Sequence, residues 1–298
     1  MIPWNITYIR PDTLEEAWQS YQEAKHKGQE VYYLNGGTEL ITFARQNKLH
    51  PEVFIDLSRI PELRRMETES GTHVFGAAIT LNEIIQTHSF PLLARAAKIA
   101  DHTVRNKLSL GGNIVGRLPY RETLLPFLVA DGIVGIFGAD GLRQQPLAEV
   151  YAKRLLLETG EILVDLRVPK SLVTRPWAYA RKTRFGQAVD YPLVTLVLLD
   201  AGEQAPRFRC GVSGAFASPL RSGLVEQALN RLEGFLAPSS KGQLSIEESF
   251  IQQVVDLFGV PLVRDQRASS EYRRLLLEQA LAESLVELIT FPRQEASP

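Results

Sequence analysis

Two glycine pairs constrain this chain more than any other feature: Asn35-Gly36-Gly37-Thr38-Glu39-Leu40 and Ser109-Leu110-Gly111-Gly112-Asn113-Ile114. Each follows an apolar or mixed run and precedes a stretch that reads as a helix or compact turn, so the backbone must bend tightly at both places. Glycine lacks Cβ, which permits the bend and lets the main chain approach a ligand closely. N–H groups aimed the same way in such a turn form a cradle for phosphate oxygens. One Gly-Gly turn alone is ordinary turn chemistry. Two such loops can grip both halves of a dinucleotide.

The 298 residues suggest about two domains. A hydrophobic content of 45% and a charged content of 22% are those of a globular protein in water. The net charge of -1 gives no electrostatic case for nucleic acid or an anionic membrane surface. The opening Met1-Ile2-Pro3-Trp4-Asn5 lacks the basic and apolar regions of a signal peptide. The longest apolar runs, such as 193–199, have strand length and do not span a bilayer. The expectation is a cytoplasmic protein with neither nucleic acid nor membrane as partner. Cys210 is the only cysteine, which excludes an internal disulfide and an iron–sulfur cluster held by this chain alone, since a cluster needs about four thiolates. His26, His50, His73, His88 and His102 show no metal-ligand spacing, so no metal site is expected.

Residues 6–9 read as a strand stopped at Arg10-Pro11, after which Asp12 or Thr13 N-caps a helix ending near Lys27-Gly28. A second strand, 31–34, runs into the first glycine pair, and a helix over 38–45 and a strand over 53–57 follow. This βαβ-like opening implies a parallel or mixed sheet. Gly-Gly-Thr-Glu-Leu has no G-x-G-x-x-G spacing, which rejects the nicotinamide fingerprint. A second lobe follows, with a strand at 74–78, helices at 80–87, 91–100 and 122–130, and strands at 133–137 and 162–168. Residues 169–176, with proline at both ends, read as a linker. Beyond it, strands at 177–184, 191–199 and 208–214 predict a three-stranded antiparallel sheet. Helices at 222–232, 246–258 and from 270 onward come next, then a frayed tail at 293–298.

Taken in order, Tyr8-Ile9-Arg10-Pro11, Asn35 to Leu40, Gly76-Ala77-Ala78-Ile79-Thr80, Ser109 to Asn113 and Pro126 to Ala130 resemble the flavin-binding medium subunits of the molybdenum hydroxylases, such as bacterial xanthine dehydrogenase and carbon monoxide dehydrogenase. Gly214-Ala215-Phe216-Ala217-Ser218-Pro219-Leu220-Arg221 and the run from Asp265 to Arg274 resemble that family's terminal-domain signatures. The resemblance implies an α+β chain. A two-lobed FAD-binding domain of the vanillyl-alcohol oxidase or para-cresol methylhydroxylase type would occupy 1–170, with lobes of about 1–58 and 59–170. A β-sheet-plus-helices C-terminal domain of the carbon monoxide dehydrogenase flavoprotein type would occupy 176–292.

By position, the resemblance puts FAD contacts on Asn35, Gly36, Gly37, Thr38, Glu39 and Leu40, and on Ser109, Leu110, Gly111, Gly112 and Asn113. Thr38 and Ser109 add hydroxyls, and Asn113 an amide suited to phosphate or ribityl oxygens. Glu122 stands where the family usually has an aspartate that bonds the cofactor. The preceding Val115-Gly116-Arg117-Leu118-Pro119-Tyr120-Arg121 departs from the usual small-residue run; Arg117 and Arg121 either offset phosphate charge or sit in solvent, the latter being the commoner case. Leu163 matches a leucine lying against the isoalloxazine, although a core strand leucine accounts for it as well. Lys182, with Arg181 as competitor, falls near a lysine close to the ring system; a solvated pair on a strand end is the alternative. Asp190-Tyr191-Pro192 stands where the family shows an acidic–aromatic turn, and Asp265 with Arg267 suggests a helix cap or an interdomain ion pair.

The resemblance implies no catalytic residue in this chain. A partner large subunit carries a molybdenum-pterin, and a small subunit carries iron–sulfur clusters. Electrons then pass through FAD here to NAD or another acceptor, the flavin supplying the redox chemistry. Two other readings stand beside it: a paralogue with weak or lost flavin binding that serves assembly, and a stand-alone flavin reductase like the cell-wall sugar-nucleotide reductases.

Overall fold

The computed structural model describes residues 2–118, 120–183, 192–238 and 244–290. The chain divides into two units, 1–127 with 131–173 and 128–130 with 174–298.

The first unit opens with β1 (Thr7–Ile9), α1 (Leu14–His26), β2 (Val31–Leu34), α2 (Leu40–Arg45) and β3 (Val53–Asp56). The three strands are parallel in the order β1-β3-β2, as the βαβ reading expects. Thr13 caps α1 by accepting from Glu16 N, and Leu14, Ala17 and Ala24 form its buried face. The central strand β3 is buried throughout.

The second sheet has the order β4-β5-β8-β6-β7 and is antiparallel. Its strands are β4 (Met66–Glu69), β5 (Thr72–Gly76), β6 (Ile133–Gly138), β7 (Gly141–Pro146) and β8 (Ile162–Pro169). Among the described residues, five short helices come between β5 and β6: α3 (Leu81–Thr87), α4 (Pro91–Ala96), α5 (His102–Arg105), α6 (Leu110–Val115) and α7 (Leu124–Val129). Phe75, Phe90 and Phe127 pack together at ring-centroid distances of 5.9–6.3 Å in its core. A one-turn α8 (Leu147–Val150) follows β7. The stretch expected as a linker differs from that reading. β8 runs on to Pro169, and 170–173 forms the turn α9 (Lys170–Val173) with Leu172 and Val173 buried.

In the second unit, β9 (Trp177–Thr183), β10 (Pro192–Asp200), β11 (Phe208–Ser213) and β12 (Leu220–Arg221) make a four-stranded antiparallel sheet in the order β12-β11-β10-β9. The expected sheet had three strands; β12 has only two residues and carries no alternation to read. Then come α10 (Gly223–Leu229), the hairpin β13 (Leu236–Pro238) and β14 (Leu244–Ile246), α11 (Glu248–Asp256) and α12 (Ser270–Thr290). The long α12 packs across β9 and β10, with Leu277, Ala280, Leu281 and Leu285 fully buried against that sheet's core. Among the described residues no helix is long and apolar enough to cross a membrane, and no His, Cys, Asp and Glu side chains group to hold a metal.

Candidate functional site

The two glycine loops lie in the first unit, and they differ in what their backbone is free to bind. The first loop leaves the carboxyl end of β2, beside β3 of the parallel sheet, where open α/β sheets bind ligands. Gly37 has φ +68°, a left-handed conformation that suits glycine. Among the described residues, none of the backbone N–H groups from Asn35 to Leu40 donates to an intramolecular acceptor. The loop's carbonyls are used: Gly37 O accepts from Ile41 N at 3.0 Å and Thr38 O accepts from the Thr42 hydroxyl at 2.7 Å. Polar N–H groups seldom go without a partner in a folded protein. Six in succession, half-buried, form a donor set suited to phosphate oxygens.

In the second loop the expected N–H cradle is otherwise committed. Leu110 N donates to Ile79 O at 2.9 Å and Gly111 N to Ala77 O at 2.8 Å. Gly112 N donates to Ser109 Oγ at 3.1 Å and Asn113 N to Ser109 O at 2.9 Å. This loop is a packed platform: Ser109 N-caps α6, and a Cβ on Gly111 would lie 2.8 Å from Ala77 Cβ. Ala77 in turn donates to Val164 O of β8 at 2.8 Å, so the Gly76-Ala77-Ala78 run fixes the platform to the sheet. Gly112 is exposed, and a Cβ there would meet only Ser109 Oγ, at 2.9 Å.

The loops are held to each other at two points. A Cβ on Gly36 would fall 1.6 Å from Lys107 O, so only glycine lets the first loop lie on the backbone leading into the second. Glu39 Oε1 accepts from Arg117 N at 2.6 Å and Oε2 from Leu118 N at 3.3 Å. The Glu39 carboxylate thus ties the first loop to the end of α6.

Other expected site residues take mixed positions. The Asn113 amide, read as a phosphate or ribityl ligand, holds its own neighbourhood: Nδ2 donates to Tyr120 O at 3.1 Å and Oδ1 accepts from Thr123 Oγ1 at 2.6 Å. Arg121 is not in solvent. It is 8% exposed, and its guanidinium donates to Lys153 O at 3.0 Å and Gly116 O at 2.8 Å. Arg117 is exposed and lies against the Tyr32 phenol; burial and Glu30 push that phenol's pKa up, while Arg117 pulls it down. Glu122 is buried just before α7. Leu163 is buried on β8, paired with Ile136.

Arg181 and Lys182 stand on β9 in the second unit, where Lys182 forms an ion pair with Glu283 of α12. Asp265 also belongs there. It accepts from Arg273 Nη2 at 2.9 Å and from the Arg267 side chain, so of the two expectations, a helix cap or an interdomain ion pair, the ion pair forms but lies inside one unit. Asp190 and Tyr191 lie outside the described residues, as does the tail at 293–298. Sequence reasoning missed Lys107, Thr123 and the anchoring part of Ala77; the small-residue run before Thr80 was the one available signal.

Residues 4–171 match the family described as the FAD binding domain in molybdopterin dehydrogenase. The carbon monoxide dehydrogenase medium chain of Hydrogenophaga pseudoflava is 32% identical over 191 residues, covering 62% of this chain and 66% of that one. The nicotine 6-hydroxylase medium subunit of Paenarthrobacter nicotinovorans is 26% identical over 294 residues, covering 95% of this chain and 96% of that one. A solved structure of the H. pseudoflava carbon monoxide dehydrogenase, lacking the Mo-pyranopterin moiety of its molybdenum cofactor, matches with a TM-score of 0.80 at 25% identity, over 97% of this chain and 99% of that one. The expected α+β fold, with a FAD-binding domain of the vanillyl-alcohol oxidase type, agrees with these matches. The free donors of the first loop fit a diphosphate, and the chain belongs to the family of FAD-binding domains of molybdopterin dehydrogenases, as a flavoprotein chain of those oxidoreductases.

Proposed function

We propose that this chain is the electron-transfer subunit of a multi-subunit molybdenum hydroxylase. It would receive electrons from iron–sulfur clusters of a small partner subunit, while a large molybdenum-pterin subunit oxidises the substrate. NAD or another acceptor would take the electrons away, in the cytoplasm. Bound FAD supplies the acceptance and release of electrons; the protein supplies binding, orientation and access.

The observation that carries this reading is the run of uncommitted N–H groups from Asn35 to Leu40, a donor set for the FAD diphosphate. Around it we assign the second loop, Ser109 to Asn113, as the platform that shapes the site, with Gly112 as its open face. Glu122 and Leu163 remain the proposed contacts for the rest of the cofactor. Residues 1–170 would form the FAD domain, with lobes of about 1–58 and 59–170, and 176–292 the C-terminal domain. The relatives support the partner assignment, since their names describe medium chains or subunits.

The first test is the visible absorption spectrum of the purified chain, before and after excess FAD and desalting. A retained flavin band that bleaches on reduction supports the reading. Anaerobic addition of NADH to the flavin-loaded chain then tests the acceptor: bleaching supports NAD, and an unchanged band points to another. Co-expression with adjacent reading frames for a cysteine-rich chain and a large chain tests the partners by co-purification.

A further inference from the structure

We propose that Lys107 supplies the cation that pairs with the diphosphate held on the first glycine loop. The inference rests on the cradle reading above and adds a charged side chain to a donor set made of backbone N–H groups alone.

The cations around the loops divide by what they already hold. Arg121 gives its guanidinium to Lys153 O and Gly116 O. Arg105 gives Nε to Asn82 Oδ1 at 3.0 Å and Nη1 to Ala100 O at 2.6 Å. Arg10 pairs with Asp56 and bonds Ser58. Arg117 lies against Tyr32. Lys107 differs from all four in that its side chain, exposed like those of Arg10 and Arg117, has no acceptor among the described residues.

Its backbone is also one of the two places where the second segment touches the first loop. An ideal Cβ on Gly36 would lie 1.6 Å from Lys107 O and 2.5 Å from its carbonyl carbon. The contact is rigidly placed, because Lys107 N donates to Val104 O at 3.0 Å and Leu108 O accepts from Leu81 N at 3.0 Å. A lysine side chain extends about 6 Å from its Cα by standard bond lengths. That length gives a residue whose backbone already touches Gly36 a cation on a flexible stem beside the first loop. A flexible ammonium binds phosphate as a point charge and needs no fixed fork geometry.

The test titrates FAD into the flavin-free full-length chain at low and high ionic strength, with ADP as a competitor that carries the diphosphate without the flavin. Lys107→Gln should weaken both FAD and ADP about two- to fivefold at low salt, the range of an exposed ion pair, and the gap should close as salt rises. Lys107→Arg should bind as the parent does. The thermal midpoint of flavin-free Lys107→Gln should match the parent, since the side chain makes no hydrogen bond or ion pair among the described residues. Equal affinity and equal salt dependence in the parent and Lys107→Gln would overturn the Lys107 assignment alone. Failure of the parent chain itself to bind FAD or ADP would overturn the cradle reading beneath it.

Discussion

Gly36 and Gly112 are glycines for different reasons, and the difference can be measured. At Gly36 any side chain meets the Lys107 carbonyl head on, backbone against Cβ. Gly36→Ala should therefore destabilise the flavin-free protein by about 1–3 kcal/mol or more, as forced overpacking does, visible in the denaturant midpoint. At Gly112 only Ser109 Oγ stands near, and the residue is helical. In Gly112→Ala the helix-propensity gain of up to about 1 kcal/mol is set against the Cβ crowding the capping Ser109 Oγ, so flavin-free stability should change by less than about 1 kcal/mol either way. The variant should nonetheless lower the flavin-to-protein ratio after desalting. An unchanged ratio would remove Gly112 from the site. Alanine is the sharper probe here, and Gly37 is a poor one, because φ +68° strains any side chain whatever the ligand does.

Between elements, the contrast in hydrogen bonding separates the two loops. Hydrogen exchange should find amides 35–40 fast in the flavin-free chain and slowed by FAD, and amides 110–113 protected in both states. Equal behaviour of the two loops would contradict their division of labour. The start of α3 offers a pH-dependent case. Thr80 and Glu83 form a capping box, with Glu83 N donating to Thr80 Oγ1 at 3.2 Å and Thr80 N to Glu83 Oε2 at 2.7 Å. Burial raises the Glu83 pKa, but the Thr80 amide and hydroxyl together with Arg64 hold it below the ordinary glutamate value. A depressed carboxylate stabilises the fold above its unfolded pKa and loses that contribution as pH falls through the folded value. Thr80→Ala should cost about 1 kcal/mol at neutral pH, and less in acid once Glu83 is protonated, which denaturant melts at the two pH values would resolve.

Elements were legible in the sequence where burial imposes a pattern. β2, β3, β8 and β10 are apolar runs bounded by turn residues, and the structure buries them. The strands β4 and β7 were missed because they lie at the two edges of their sheet, with solvent on one face and sequences, Met-Glu-Thr-Glu and Gly-Leu-Arg-Gln-Gln-Pro, that read as loops. At the site, the sequence shows which residues form the loops but not which amides stay free. That depends on the alignment of the second loop along Ala77 to Ile79, a tertiary pairing that local spacing does not encode.

At the scale of the whole molecule, the two units do not follow the order of the chain. Residues 128–130, at the end of α7, belong to the second unit, where Arg221 donates to Leu128 O at 2.5 Å and buried Arg209 to Val129 O at 3.2 Å. A fragment of 174–298 would keep both arginines and lose both acceptors. It should be less stable than the same unit within the intact chain by about 0.5–1.5 kcal/mol for each hydrogen bond lost, since Arg221 keeps Glu226 and Arg209 keeps Gln204. Exchange protection of β10 and β11 in the fragment and in the full chain would check this. The same feature bears on ancestry. A recombination crossover at the 173/174 junction would carry the arginines into one gene and leave their carbonyls in the other, so the two units of this chain are not interchangeable cassettes.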